Sequence, residues 1–206
     1  MSGPMPPPGG PMFVIVRHGN TFAAGEPAPR IGARTDLPLT PAGVAQAEAL
    51  GRHFAQQGWH FGRALVSPLQ RTRATAAAIL AHQPATLRPE PCEWLREIDH
   101  GPDEDRPEAE VVARIGPQAL AAWDREGTPP PGWIVDAPER LHAWQAFLTT
   151  AAQPTLLVTS NGAARFALLA LGLAPGGALK LATGAYGLIV READGALRLA
   201  AWDVRP

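Results

Sequence analysis

Unbroken apolar runs and helically spaced apolar positions alternate along most of the chain. FVIVRH (13–18) is continuous rather than alternating, the mark of a strand covered on both faces. After a Gly/Pro-punctuated loop (19–39), Thr40 followed by Pro41 predicts a helix start, a capping hydroxyl with proline at the first helical position. Val44, Ala47, Leu50 and Phe54 then share one face, and Gly58 supplies the stop. The pattern repeats. RALV (63–66) predicts a strand, Ser67–Pro68 the next cap with Gln70 completing a capping box, and LQRTRATAAAIL the helix. TLRP (86–89) is a weaker strand candidate. EAEVVARIGPQALAAWDREG predicts a helix interrupted or kinked at Pro117, GTPPPGW (127–133) a connector, and ERLHAWQAFLTTAA a helix through Leu141, Trp144 and Leu148. LLVT leads to a helical AARFALLALGL, and YGLIVRE with ALRLAAWDV predicts a closing hairpin around Asp194–Gly195.

Strands alternating with helices predict a three-layer α/β/α sandwich with a mostly parallel central sheet. Residues 1–12, MSGPMPPPGGPM, read as a disordered Pro/Gly-rich tail with Met12 available as an alternative start, and 13–206 as one domain. Residues just past the carboxyl ends of parallel strands gather along one edge. Three loops therefore meet there: RHGNT, SPLQR and TSNGAAR.

Composition narrows the partners. With 206 residues, 46% hydrophobic, 18% charged and a net charge of −1, the chain can bury a core and is poorly suited to coating nucleic acid or anionic membrane. No basic stripe interleaved with aromatics is present, and the apolar runs are too short for a membrane span. The single cysteine, Cys92, suits a reducing, cytoplasmic setting, and the first residues lack the features of a secretion signal. His53, His60, His82, His100 and His142 show no metal-ligand spacing, and the acids between Asp99 and Glu110 read as a solvated face; no metal or cofactor is expected.

The edge loops carry the chemistry. Arg17 and His18 end one strand, Arg71 lies in the first turn of a helix, and Ser160 and Asn161 sit at another helix mouth, where free backbone N–H groups and the helix dipole favour an anion. Singly, each has an ordinary reading: a satisfied strand-end histidine, a solvated helix charge, a cap. Jointly they suit a phosphoryl group, which guanidiniums can fork and neutral imidazole can attack.

The motifs resemble those of the histidine phosphatase superfamily, also called phosphoglycerate mutase-like. RHGNT is similar to its Arg-His-Gly-x-Thr opening, LTPAGVAQA (39–47) to its Leu-Thr-x-x-Gly-x-x-Gln-Ala helix start, and SPLQRTRATA (67–76) to Ser-Pro-Leu-x-Arg-x-x-x-Thr-Ala. LREI, with Glu97 and Ile98, looks like the segment carrying the family's acid, and the likeness runs from about Phe13 to Arg165. It implies a phosphomonoester hydrolase in which His18 becomes phosphohistidine, Arg17 and Arg71 hold the phosphoryl oxygens, and Glu97 protonates the leaving group. Asp99, Asp103 and Glu104 are spare acids. Asn20 is a further candidate phosphate ligand, and Arg34 with Asp36 match a stretch near the substrate entrance. In the family the strand before the last motif usually ends in His-Gly; here Ser160 stands at the histidine's place and Asn161 follows, while Gly162 and Arg165 are kept. That implies a weakened or specialised phosphatase, rather than a mutase, acting on a small phosphorylated substrate. His100 is a candidate to enter the pocket in compensation. The alternative is a non-catalytic relative that binds a phosphorylated ligand or a protein through the same cradle. No oligomeric state is read from the sequence.

Overall fold

The structure, a computed structural model, describes residues 11–172 and 179–206. Its elements in chain order are β1 (Met12–Arg17), β2 (Pro29–Arg30), α1 (Pro41–Gln56), β3 (Arg63–Val66), α2 (Gln70–Leu80), β4 (Glu90–Pro91), β5 (Arg106–Pro107), α3 (Glu108–Glu126), α4 (Ala137–Thr150), β6 (Thr155–Thr159), α5 (Asn161–Ala170), β7 (Tyr186–Arg191) and β8 (Leu197–Val204). Most of the predicted tail, residues 1–10, lies outside the described residues. Met12 is already the first, buried residue of β1.

A six-stranded sheet runs in the order β4-β3-β6-β1-β7-β8, and β2 pairs with β5 beside it. The strands from β4 to β1 are parallel; β7 and β8 are antiparallel. Both faces are covered, and the strand period of two sorts the side chains. Phe13 and Ile15 join Leu157, Ile189, Trp144 and Phe166 on the side of α4 and α5. Val14 and Val16 join Val158, Leu188, Leu50, Phe54 and Ile79 on the side of α1 and α2. This is the expected sandwich, and the continuous apolar run of β1 is the direct consequence of two covered faces.

Local signals hold in some places and yield in others. Thr40 Oγ1 accepts the Gly43 N–H (3.1 Å), as its capping position predicts. Gly116, at φ 81°, breaks α3 immediately before Pro117. The hairpin turns at Asp194–Gly195, with Gly195 at φ 88°. By contrast, Val44 is 40% exposed, because Gly43, Ala47, Leu50, Gly51 and Phe54 form the inward face of α1. The Ser67 cap and its box with Gln70 do not form. Helix α2 starts at Gln70, whose N–H donates to Asp36 Oδ1 (2.8 Å) from the loop before α1, while Ser67 Oγ is buried without a partner among the described residues. The weak strand expected at 86–89 falls at Glu90–Pro91, where it meets Leu65 and Val66 of β3.

Candidate active site

The parallel register aligns the strand ends. Arg17 lies opposite Thr159 and Val66 opposite Val158. The His18 N–H donates to Thr159 O (3.1 Å) and the Ser67 N–H to Val158 O (3.0 Å), so the three loops leave the sheet side by side. Two helices hold the first of them. The Gly19 N–H donates to Thr75 Oγ1 of α2 (3.2 Å), and the Asn20 N–H to Gln46 Oε1 of α1 (2.8 Å). A Cβ on Gly19 would lie 2.2 Å from Gly43 O, so only glycine lets the first turn of α1 approach this close. Thr75 and Gln46 fall within the quoted motifs, but spacing gave them no role; both are scaffolds for the loop.

His18 is buried. Its Nδ1 lies 2.7 Å from Gly19 O, which can only accept, so Nδ1 carries the proton and Nε2 holds the lone pair. Arg71 Nε donates to that Nε2 (3.2 Å). Burial, followed by the charges of Arg17 and Arg71, lowers the His18 pKa well below 6.5, which keeps the ring neutral. Arg71 is itself fully buried, with Nη1 donating to Thr35 O (2.7 Å) and Nη2 to Gly32 O (3.1 Å). Arg17 donates from Nη1 to Leu181 O (2.9 Å), and its enclosed Nε has no partner among the described residues. Burial lowers the pKa of both guanidiniums and the Glu97 carboxylate opposes it.

Glu97 occupies the helix mouth. Oε2 accepts the Gly162 N–H (3.0 Å), and Oε1 accepts those of Ala163 (3.1 Å) and Ile98 (2.9 Å). A Cβ on Gly162 would lie 2.3 Å from Oε1, so the helix is stripped to backbone where the carboxylate meets it. Thr159 Oγ1 donates to Leu95 O (2.6 Å) and ties the acid-bearing segment to β6. The N–H groups expected to be free for phosphate are therefore taken by a carboxylate, a fitting occupant of a helix N-terminus. Ser160 begins α5 without a side-chain cap, its buried Oγ unpartnered among the described residues.

A cavity of about 520 Å³ opens over these groups. Its walls include Arg17, His18, Asn20, Glu97 and Asn161 from the predicted set, and His100 as well. Arg71 and Ser160 are not among its walls; Arg71 contacts His18 Nε2, and Ser160 is the residue that begins α5. Asn20 Oδ1 accepts from Thr183 Oγ1 (2.5 Å) and Asn161 Oδ1 from the Leu181 N–H (2.9 Å), so both amides brace the segment around 181–183. Arg34 is engaged with Asp99 (3.0 Å) and Gly101 O (2.5 Å), and Asp36 caps α2. Asp103 is paired with Arg114 and with Trp133 Nε1 (2.7 Å). Among the described residues no cluster of His, Cys, Asp and Glu could hold a metal, and no helix is long and apolar enough to cross a membrane.

A doubly covered sheet whose carboxyl edge sets a neutral imidazole among guanidiniums defines a class of site suited to phosphoryl groups. The chain belongs to the histidine phosphatase superfamily (branch 1), whose sequence profile matches residues 13–202. It is 35% identical over 130 residues to a 2,3-bisphosphoglycerate-dependent phosphoglycerate mutase of Cytophaga hutchinsonii, covering 59% of this chain and 56% of that protein, so it spans little more than half the mutase's length. The fold is shared with a mycobacterial glucosyl-3-phosphoglycerate phosphatase, at TM-score 0.74 and 20% identity over 95% of this chain and 99% of the other. It is shared too with the phosphoserine phosphatase of Entamoeba histolytica solved with 3-phosphoglyceric acid, at TM-score 0.72 and 19% identity over 94% and 96% of the two chains. Phosphatases and a mutase among these relatives set the family's chemistry as phosphoryl transfer and hydrolysis.

Proposed function

We propose that this chain, folded as one domain over 13–206, is a phosphomonoester hydrolase working through a phosphohistidine on His18. The observation that carries the reading is the imidazole itself, in the cavity wall: neutral, its proton fixed on Nδ1 by Gly19 O, its Nε2 lone pair directed to Arg71. An entering phosphoryl group gives Arg71 a better acceptor than the ring nitrogen, which frees the lone pair. Nε2 then attacks phosphorus as the ester P–O bond breaks, with Arg17 and Arg71 on the nonbridging oxygens. Glu97 takes up the acidic proton of the monoanionic ester and passes it to the departing alkoxide. Oε2 accepts one N–H, which leaves a lone pair to carry that proton. Water next attacks the phosphohistidine and returns a proton to Glu97, releasing orthophosphate and neutral His18. Water, rather than a second phosphate acceptor, completes the cycle, since the sequence carries no obvious added segment that would enclose a sugar-acid phosphate.

Ser160 at the second histidine's place leaves one donor fewer for the transferring group, and loss of one such donor slows turnover by about 10² to 10³. The helix mouth offers little in exchange, since Gly162 and Ala163 already serve Glu97. The reading is that of a slow or specialised phosphatase. One observation favours a non-catalytic phosphate binder instead: three backbone N–H groups hold Glu97 as a helix cap. Incubation with a phosphomonoester decides between them. Acid-labile, base-stable phosphate on His18, absent from His18→Ala, is expected of the enzyme. Phosphate binding without any phosphoenzyme or released phosphate would establish the binder.

A further inference from the structure

The cavity beyond the phosphoryl position is walled by charges that already satisfy one another. Arg30 Nη2 lies 2.5 Å from both carboxylate oxygens of Glu108, and Lys180 Nζ lies 2.8 Å from Asp124 Oδ2. These are the only Arg or Lys walls besides Arg17 among the described residues, and residues 173–178 are LAPGGA, with no charged side chain. Glu26 adds a third carboxylate, which accepts the Ala23 N–H (2.8 Å) and faces no cation. Arg165 does not reach the cavity: it is fully buried, its guanidinium 3.9 Å from the centre of the Trp123 ring and its Nη2 3.9 Å from Asp124 Oδ1, so it too is committed to a carboxylate. A protonated His100 would already face the Glu104 carboxylate, 3.6 Å away. The larger apolar side chains of the wall are Phe22, Ile31, Leu120 and Trp123.

We infer, on the proposed phosphatase reading, that the substrate is a phosphomonoester of an uncharged, partly apolar alcohol, without a second anionic group. A phosphoglycerate-type carboxylate would enter a wall of two cations and three carboxylates and find no free cation. The unpaired Glu26 carboxylate, taken as about 8 Å away at an effective dielectric of about 30, disfavours it by about tenfold. An apolar substituent instead covers the aromatic and aliphatic wall and needs no polar partner.

The test is a set of alkyl phosphates with wild-type protein at low ionic strength, read as phosphate release: 2-phenylethyl phosphate, the methyl ester of 3-phosphoglycerate, and 3-phosphoglycerate itself. The ester and the acid share a leaving alcohol and differ by one charge. The expected kcat/KM order is phenylethyl phosphate, then ester, then acid, with about tenfold between the last two. Glu108→Gln, which releases Arg30, should narrow the gap between ester and acid. The inference is overturned if the acid matches or exceeds the ester in wild type, or if Glu108→Gln leaves their ratio unchanged. No phosphate release from any of the three, with no phosphohistidine formed, overturns the phosphatase reading and the inference with it. Turnover of all three with the acid preferred overturns the inference alone.

Discussion

Replacing Glu104 tests how the site is held, because this carboxylate touches the loop that aims Arg71. Oε1 accepts N–H groups from Gly32 (3.0 Å), Arg34 (2.9 Å) and Thr35 (2.9 Å) and the Thr35 hydroxyl (2.9 Å). Oε2 accepts the His100 N–H (3.1 Å). The same loop turns Gly32 O and Thr35 O onto the Arg71 guanidinium, which in turn contacts His18. Burial by itself would raise the Glu104 pKa, but bonds from His100, Thr35 and Arg34 outweigh it and bring it from 4.5 to about 2. That lowering is worth about 3 kcal/mol of folding stability. A depressed carboxyl contributes in full above its unfolded value, near 4.5, and the contribution is lost as pH falls toward 2. Glu104→Gln removes the charge and turns an amide toward the His100 N–H. Urea unfolding followed by tryptophan fluorescence should show the variant about 3 kcal/mol less stable at pH 7, with the gap closing as pH drops from about 4.5 toward 2. With Arg71 no longer aimed, kcat/KM on an aryl phosphate should fall by about 10². A variant within about 0.5 kcal/mol of wild type at pH 7, or a gap that persists at low pH, would refute the reasoning.

Other substitutions probe the remaining contacts. Arg71→Lys cannot reach His18 and two carbonyls at once, so kcat/KM should drop by about 10² to 10³ with the circular dichroism spectrum unchanged; wild-type turnover would remove Arg71 from the site. Gly162→Ala puts a methyl group 2.3 Å from Glu97 Oε1 and 3.0 Å from Ile98 Cγ1. Thermal unfolding should register a loss of about 1 to 3 kcal/mol, and steady-state kinetics a fall of about tenfold or more. Ser160→His should raise turnover of an aryl phosphate, by up to about 10²; an unchanged rate means that a donor at this position has no bearing on the reaction. Burial and the two arginines lower the His18 pKa, so the acid limb that it contributes to kcat/KM lies below pH 6.5. The unfolded chain takes up a proton below 6.5 that the folded ring refuses, so wild type loses stability on acidification there and His18→Gln loses less, as unfolding free energies at pH 8 and pH 5 will show.

Legibility in the sequence follows the range of the forces. The run of β1 is apolar because two helix layers cover it, and Thr40 caps α1 through a bond three residues away; such signals need only neighbouring residues. Ser67 carries the same capping signal and fails, because Asp36, 34 residues from Gln70, reaches the helix first. The helix mouth at Ser160–Asn161 reads as an anion site, and a carboxyl group takes its N–H groups. That it is the chain's own Glu97, some 65 residues earlier, depends on the bond from Thr159 to Leu95 and on the bare Cα of Gly162. Glu104 reads as one acid in an acidic stretch; only the fold brings five donors to it.

The placement of Glu97 shifts where an incoming anion must bind. Four guanidiniums, on Arg17, Arg71, Arg140 and Arg165, have their pKa lowered by burial, and for each of them Glu97 is the foremost carboxylate acting in the opposite direction. Each has a second, weaker carboxylate, Asp203, Asp36, Asp136 and Asp124 in turn, and burial still prevails over both. Arg140 also turns to the carbonyls of Val135, Trp94 and Arg96, and Arg165 to the ring and carbonyl of Trp123 and to Asp124 Oδ1 (3.9 Å). The cavity itself is reached by Arg17, and Arg71 contacts the imidazole in its wall. Because His18 stays neutral, it adds nothing to that excess and keeps its lone pair. Desolvated positive charge that its carboxylates only partly offset is costly until an anion arrives. The unfilled requirement lies beside the one nucleophilic nitrogen, and an anion drawn there by charge alone comes to rest against the atom that can attack it.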